Sequence, residues 1–105
     1  MMSPDAFAAE FGMRLSDLAR YAKVDQATIF QNPDNPCLKA FLSDCALVMD
    51  KIQTMSGRSR AEAVSLFLHE PFPCFRGRTP FDLVLQGRVA SVMDYLESVE
   101  SGFVG

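Results

Sequence analysis

The sequence predicts an all-α protein, and three observations carry that expectation. Apolar residues recur at steps of three and four along most of the chain. No window alternates with period two between hairpin turns. Glycine and proline fall where short, capped helices would begin and end. Ser3-Pro4-Asp5 supplies an N-cap, a first-turn proline and an acid at the positive helix end, so the first helix should run to Gly12. Ser16 is the expected cap of a second short helix ending near Ala22, and Asp25 that of a third from Gln26 to about Gln31. Asn32-Pro33-Asp34-Asn35-Pro36 cannot continue a helix.

The longest periodic segment follows. Leu38, Phe41, Leu42, Cys45, Val48, Met49, Ile52 and Met55 mark one face of a helix from about Cys37 to Ser56, roughly 30 Å long, stopped by Gly57. Leu42, Cys45, Met49 and Ile52 should be among its most buried positions. Ser59-Arg60-Ala61-Glu62 reads as a capping box, and the helix it opens ends at Pro71 and Pro73. Thr79-Pro80-Phe81-Asp82 opens another that ends at Gly87. Val89, Val92, Met93, Leu96 and Val99 then form an amphipathic stripe up to Gly102. The expected organisation is residues 1–56, including the long central helix, and a three-helix half, 57–105.

Composition narrows the function. With 49% hydrophobic and 22% charged residues, the 105-residue chain is ordinary globular material. No apolar run approaches the ~18–20 residues that span a bilayer, and no basic-then-hydrophobic leader opens the sequence, so the expectation is a soluble, cytoplasmic protein with no membrane role. The net charge of −3 is spread over both halves. Residues 1–56 set Arg14, Arg20, Lys23, Lys39 and Lys51 against seven acids; residues 57–105 set Arg58, Arg60, Arg76, Arg78 and Arg88 against six. Neither half is a general nucleic-acid coat. Three cysteines without a C-x-x-C, beside one histidine, make a zinc site a poor fit and buried reduced thiols the expected state.

Catalysis is poorly supported. A Ser-His-Asp or Cys-His relay would need His69, which stands at a helix end where a cation is simply stabilising. No phosphate-binding glycine loop and no H-E-x-x-H motif occurs. Glu97 and Glu100 share the outer face of the last helix. Neither a cofactor nor a metal is expected.

Leu18-Ala19, Val24 and Thr28-Ile29 have the spacing of a helix-turn-helix: a small residue where two helices cross, a hydrophobic turn residue, and an apolar anchor. On such a docking Gln26, Thr28 and Gln31 would reach base edges, while Arg20, Lys23 and Lys39 would reach phosphates. Lys23 stands where glycine is usual, at a cost of about 1 kcal/mol if the position is left-handed. Operator reading would require a homodimer, since one short helix reads only a few base pairs. A second constellation is the loop Pro71-Phe72-Pro73-Cys74-Phe75-Arg76-Gly77-Arg78-Thr79-Pro80. Its Arg76-Gly77-Arg78 can meet an anion, and Phe72 and Phe75 either fold into a small core or stay exposed as contact anchors.

From Ala61 to Gly102 the chain resembles bacterial antitoxins with the Xre/MbcA/ParS toxin-binding domain. The matching residues are an Ala-rich helix, a Pro-aromatic loop, then Gly77-Arg78-Thr79-Pro80-Phe81-Asp82-Leu83-Val84, Gly87-Arg88, Val92-x-x-Tyr95-Leu96 and Gly102. The helix-turn-helix spacing matches the Xre-like N-terminal half of that family. The resemblance implies a labile partner-binding protein rather than an enzyme. It implies a type II antitoxin whose C-terminal half occludes a RES-domain toxin that consumes NAD, and whose N-terminal half represses its own operon. Contact with the toxin would fall to Phe72, Phe75, Arg76, Arg78, Arg88 and the tail residues Phe103 and Val104. The alternative is a solitary helix-turn-helix regulator or adaptor without a cognate toxin.

Overall fold

The computed structural model describes residues 3–102; Phe103 and Val104 lie outside them. Among the described residues the chain is all-helical: α1 (Pro4–Phe11), α2 (Leu15–Ala22), α3 (Gln26–Gln31), α4 (Pro36–Ser56), α5 (Arg60–His69), α6 (Pro80–Leu85) and α7 (Val89–Gly102). A 3₁₀ turn at Pro73–Phe75, which the sequence reading does not anticipate, separates α5 from α6. No helix among these is long and apolar enough to cross a membrane. The chain divides into two compact units, Met1–Ala46 and Leu47–Gly105. The division falls within α4. Phe41, in its first half, meets Phe7 of α1 with ring centroids 5.8 Å apart. In its second half, Lys51 reaches Glu100 at 2.9 Å and Asp50 reaches Arg60 at 3.5 Å.

In the first unit, Ser3 caps α1 by accepting the Ala6 N–H on its hydroxyl at 3.2 Å. Phe7, fully buried, stacks on Phe11 at 4.3 Å and sits with Leu18, Leu38 and Leu42 among the buried residues. The cap of α2 is Arg14 rather than Ser16. Arg14 is extended (φ −83°, ψ 158°) and its N–H donates to Asp17 Oδ2 at 3.2 Å, so the carboxylate three residues on satisfies the helix entrance and Ser16 lies within the first turn. Asp25 does occupy the N-cap of α3, but its side chain makes no capping bond. Asn35 caps α4, its Oδ1 accepting from Cys37 N–H (2.9 Å) and Leu38 N–H (3.2 Å), with Pro36 as first helical residue.

The exit of α2 is the tightest joint. Lys23 takes φ 61°, ψ 42°, its N–H donates to the Arg20 carbonyl (3.2 Å), and the Val24 N–H donates to the Ala19 carbonyl (3.0 Å). This pairing closes a helix by using two otherwise orphaned carbonyls, and it needs a left-handed residue that only glycine adopts without steric cost. Ala19 is buried, and α2 and α3 are in contact.

In the second unit, Ser59 accepts the Glu62 N–H at 3.3 Å and its hydroxyl donates back to the Glu62 carboxylate at 3.1 Å. Thr79 and Asp82 form a reciprocal capping box at the start of α6, with bonds of 3.1 and 3.2 Å. That box sets the angle at which Pro80, Phe81, Leu83 and Val84 turn inward, where Phe81 meets Phe67 of α5 at 5.5 Å. On α7 the stripe expected to be core is buried at Val92 and Leu96 and half-buried at Val89, Met93 and Val99. Leu42, Cys45, Met49 and Ile52 of α4 are all nearly inaccessible.

Two substitutions test this account of the joints. Lys23→Gly should raise stability by about 0.5–1 kcal/mol, the relief of left-handed strain less the added freedom of the unfolded chain. Thr79→Ala should lower it by about 1 kcal/mol through loss of the cap. Denaturant unfolding midpoints at unchanged slope check both.

Candidate functional site

The most elaborated surface lies in the second unit, between α5 and α6. Pro71 and Pro73 forbid a continuing helix, and the chain closes a small loop instead: Phe72 N–H donates to the Arg78 carbonyl (2.9 Å), Phe75 N–H to Phe72 (3.1 Å) and Arg78 N–H to Phe75 (3.2 Å). Reversal within so few residues places Arg76 (φ 58°) and Gly77 (φ 78°) in succession in the left-handed region. Phe72 is the anchor. It is 6% exposed and lies 4.6 Å from the ring of Tyr95 on α7, which Phe75 also meets edge-on at 5.7 Å. Burial, and then the neighbouring Cys74 side chain, push the Tyr95 hydroxyl above its ordinary pKa.

On the outside of this aromatic cluster Arg88 lays its guanidinium over the Phe75 ring at 5.2 Å. Cys74, Phe75, Arg76, Arg78 and Arg88 together line a concavity of about 270 Å³. Of the residues expected to contact a partner, Phe75, Arg76, Arg78 and Arg88 are therefore brought together. Phe72 is not at the surface: of the two fates open to it, the structure gives the core, and its part is to hold Phe75 in place. Phe103 and Val104 fall outside the described residues.

A second concavity, of about 390 Å³, runs along α5 and is lined by Arg58, Glu62, Ser65, Leu66, His69 and Glu70. Glu62, Ser65, Leu66 and His69 are one helical face, which the sequence reading passes over because it treats His69 only as a helix-end cation. Among the described residues no group of three or more His, Cys, Asp and Glu side chains is placed to hold a metal ion.

In the first unit, α2 and α3 are in contact, and Leu18, Ala19, Ala22 and Ile29 on them are buried. Lys23, Gln26, Gln31 and Lys39 are exposed, whereas Thr28 is half-buried beside Ile29. Arg20 is exposed but engaged, 3.3 Å from Asp17 and 5.2 Å from the centre of the Tyr21 ring. The residue missed is Phe30, 64% exposed. The signal was available: with Ile29 turned inward, ~100° per residue puts Phe30 on the outer face with Gln26, Ala27 and Gln31.

Comparison with family models, with curated proteins and with solved structures finds no match for this chain.

The cysteines need correction. All three are free, but only Cys45 is buried; Cys37, in the first turn of α4, and Cys74, in the middle of the short 3₁₀ turn, are exposed. Burial, with Asp44 beside it, pushes the Cys45 thiol far above its ordinary range. Native protein should therefore release two equivalents of thiolate product with an aromatic disulfide reagent, and a third only on unfolding. Because the folded thiol resists ionisation, Cys45 contributes stability that is complete below the unfolded thiol pKa of about 8.5 and declines as pH rises above it. Cys45→Ala should remove that part of the alkaline decline, as read from unfolding midpoints between neutral and alkaline pH.

Proposed function

We propose that this chain is the antitoxin of a type II toxin–antitoxin system, binding and occluding a RES-type toxin that consumes NAD and repressing its own operon as a homodimer. The observation that carries the reading is the arrangement around Gly77–Val84, the most telling stretch of the resemblance. There a closed loop and a capped helix hold Phe75, Arg76, Arg78 and Arg88 together on one surface, over an aromatic base of buried Phe72 and half-buried Tyr95. An aromatic anchor with arginines at its rim is the side-chain chemistry of a protein contact that buries area and fixes orientation. The tail with Phe103 and Val104 belongs to the reading on the strength of the sequence alone.

The DNA half rests on α2 and α3 as a helix-turn-helix. In this reading Gln26 and Gln31 hydrogen-bond base edges and Phe30 with Ala27 supplies apolar contact to a thymine methyl. Arg20, Lys23 and Lys39 meet phosphates, and Thr28 supports the helix from its half-buried position.

The two halves separate experimentally. Co-expression with the toxin encoded beside this reading frame, with cellular NAD as readout, should show protection by the native chain and by Gln26→Ala. Protection should fail for the triple variant Arg76→Ala, Arg78→Ala, Arg88→Ala at unchanged melting temperature. Removal of residues 101–105 should likewise release the toxin. In a gel shift on upstream DNA, Gln26→Ala should lose roughly 1–3 kcal/mol of sequence discrimination. Full protection by the triple variant would move toxin binding elsewhere, and absence of salt-sensitive DNA binding would remove the operator role.

A further inference from the structure

We propose that the concavity formed by Cys74, Phe75, Arg76, Arg78 and Arg88 is a binding site for a compact polyanion of the pyrophosphate type. Three guanidinium groups, each carrying a full charge, line about 270 Å³, and no carboxylate lines it with them. Among the described residues none of the three arginines has an acidic partner. Three acids of the same unit are engaged elsewhere: Asp82 accepts the Thr79 N–H, Asp50 faces Arg60, and Glu100 faces Lys51. The first turn of α7, which follows Arg88 directly, contains no acidic residue either.

Such a concentration is unusual for this chain. The unit Leu47–Gly105 carries six cations, Lys51, Arg58, Arg60, Arg76, Arg78 and Arg88, against more acids than that, and half of those cations converge here. Like charges gathered without counter-charge repel, and the repulsion is relieved when an anion enters. The backbone of the loop that carries Arg76 and Arg78 is closed by three hydrogen bonds, and Arg88 rests on the ring of Phe75, which Tyr95 supports. Less side-chain freedom is then left for Arg88 to lose on binding.

The ligand class follows from charge and geometry. A single carboxylate would leave two of three guanidiniums uncompensated. A phosphoanhydride carries several charges in one small group whose oxygens accept paired N–H donors, the geometry for which arginine is suited over lysine. The site is a property of the free protein and does not depend on a toxin partner, although the two would share Arg76, Arg78 and Arg88.

Titration of ¹⁵N-labelled protein with inorganic pyrophosphate at constant ionic strength tests this. Saturable shifts should appear at the amides of residues 74–79 and 88–89 and at the Arg78 and Arg88 side-chain Nε–H groups. Arg78→Gln and Arg88→Gln should each weaken binding about tenfold or more, and Arg88→Lys should retain only part of it. Arg58→Gln, which alters the α5 concavity, should leave binding unchanged. Melting curves of the variants establish that they remain folded. Shifts that do not saturate, that spread equally to Arg58 and Lys51, or that appear with unchanged affinity in Arg88→Gln would overturn the site. Citrate binding as tightly as pyrophosphate would overturn the assignment to phosphate chemistry.

Discussion

Helices of six to ten residues are too short to persist by their own hydrogen bonds, so this chain depends on stopping each one where its neighbour needs it. The stops are residues held at positive φ. Gly12, Lys23, Gly57, Gly77 and Gly87 stand there, and Arg76 joins them within the loop before α6. Two connections are made otherwise: α5 ends at Glu70 in extended backbone (φ −86°, ψ 112°) before Pro71, and α3 passes to α4 by way of Asn35 and the prolines around it. Where the stop is glycine the geometry is free of strain. At Lys23 and Arg76 an ordinary L residue accepts a conformation that costs on the order of 1 kcal/mol. Both of these cations lie on the surfaces to which we assign function, so a charge stands where backbone preference alone would favour glycine.

The helix entrances show how far such a chain can be read from its residues. Ser3-Pro4 and Thr79-Pro80 give both the cap and the first helical residue, because hydroxyl and pyrrolidine chemistry act within three residues and need no tertiary partner. Ser16 misleads for the same reason: it has the right hydroxyl, but the Asp17 carboxylate takes the Arg14 N–H and starts the helix sooner. The period of α4 made Leu42, Cys45, Met49 and Ile52 legible as buried, since a long helix samples its apolar face many times. The six residues of α3 sample theirs less than twice, so Thr28 reads as surface and the exposure of Phe30 is not anticipated. Exposure of Cys37 and Cys74 was not legible from residue type, which favours burial for cysteine; it goes with their places in the first turn of α4 and in the irregular segment before α6.

The candidate site was legible as a loop and not as a site. Prolines at positions 71 and 73 and glycine at 77 announce an irregular segment, and the arginines around the glycine announce charge. What no sequence pattern states is that Arg88, ten residues beyond Arg78 and across a helix, returns to the same concavity. That return is set by α6, short enough that its exit at Gly87 lies near the loop that precedes its entrance, and by Tyr95, one and a half turns into α7, which supports the ring on which Arg88 rests.

Charge then separates the functions this surface can serve. A net charge of −3 disfavours diffuse attraction to nucleic acid, so an acidic chain that binds an anion must gather its cations locally and keep carboxylates out of that cluster. The Leu47–Gly105 unit does this: Lys51–Glu100 and Arg60–Asp50 pair across elements, Asp82 is spent on a cap, and Arg76, Arg78 and Arg88 are left together. The Met1–Ala46 unit does not. Its Arg20 is paired with Asp17, and Asp25 stands at the N-terminus of α3 with no capping bond to occupy it. A DNA-reading role for α3 must therefore draw more on its glutamines and Phe30 than on net attraction, whereas an anionic ligand or partner meets uncompensated charge at the arginine concavity from the first encounter.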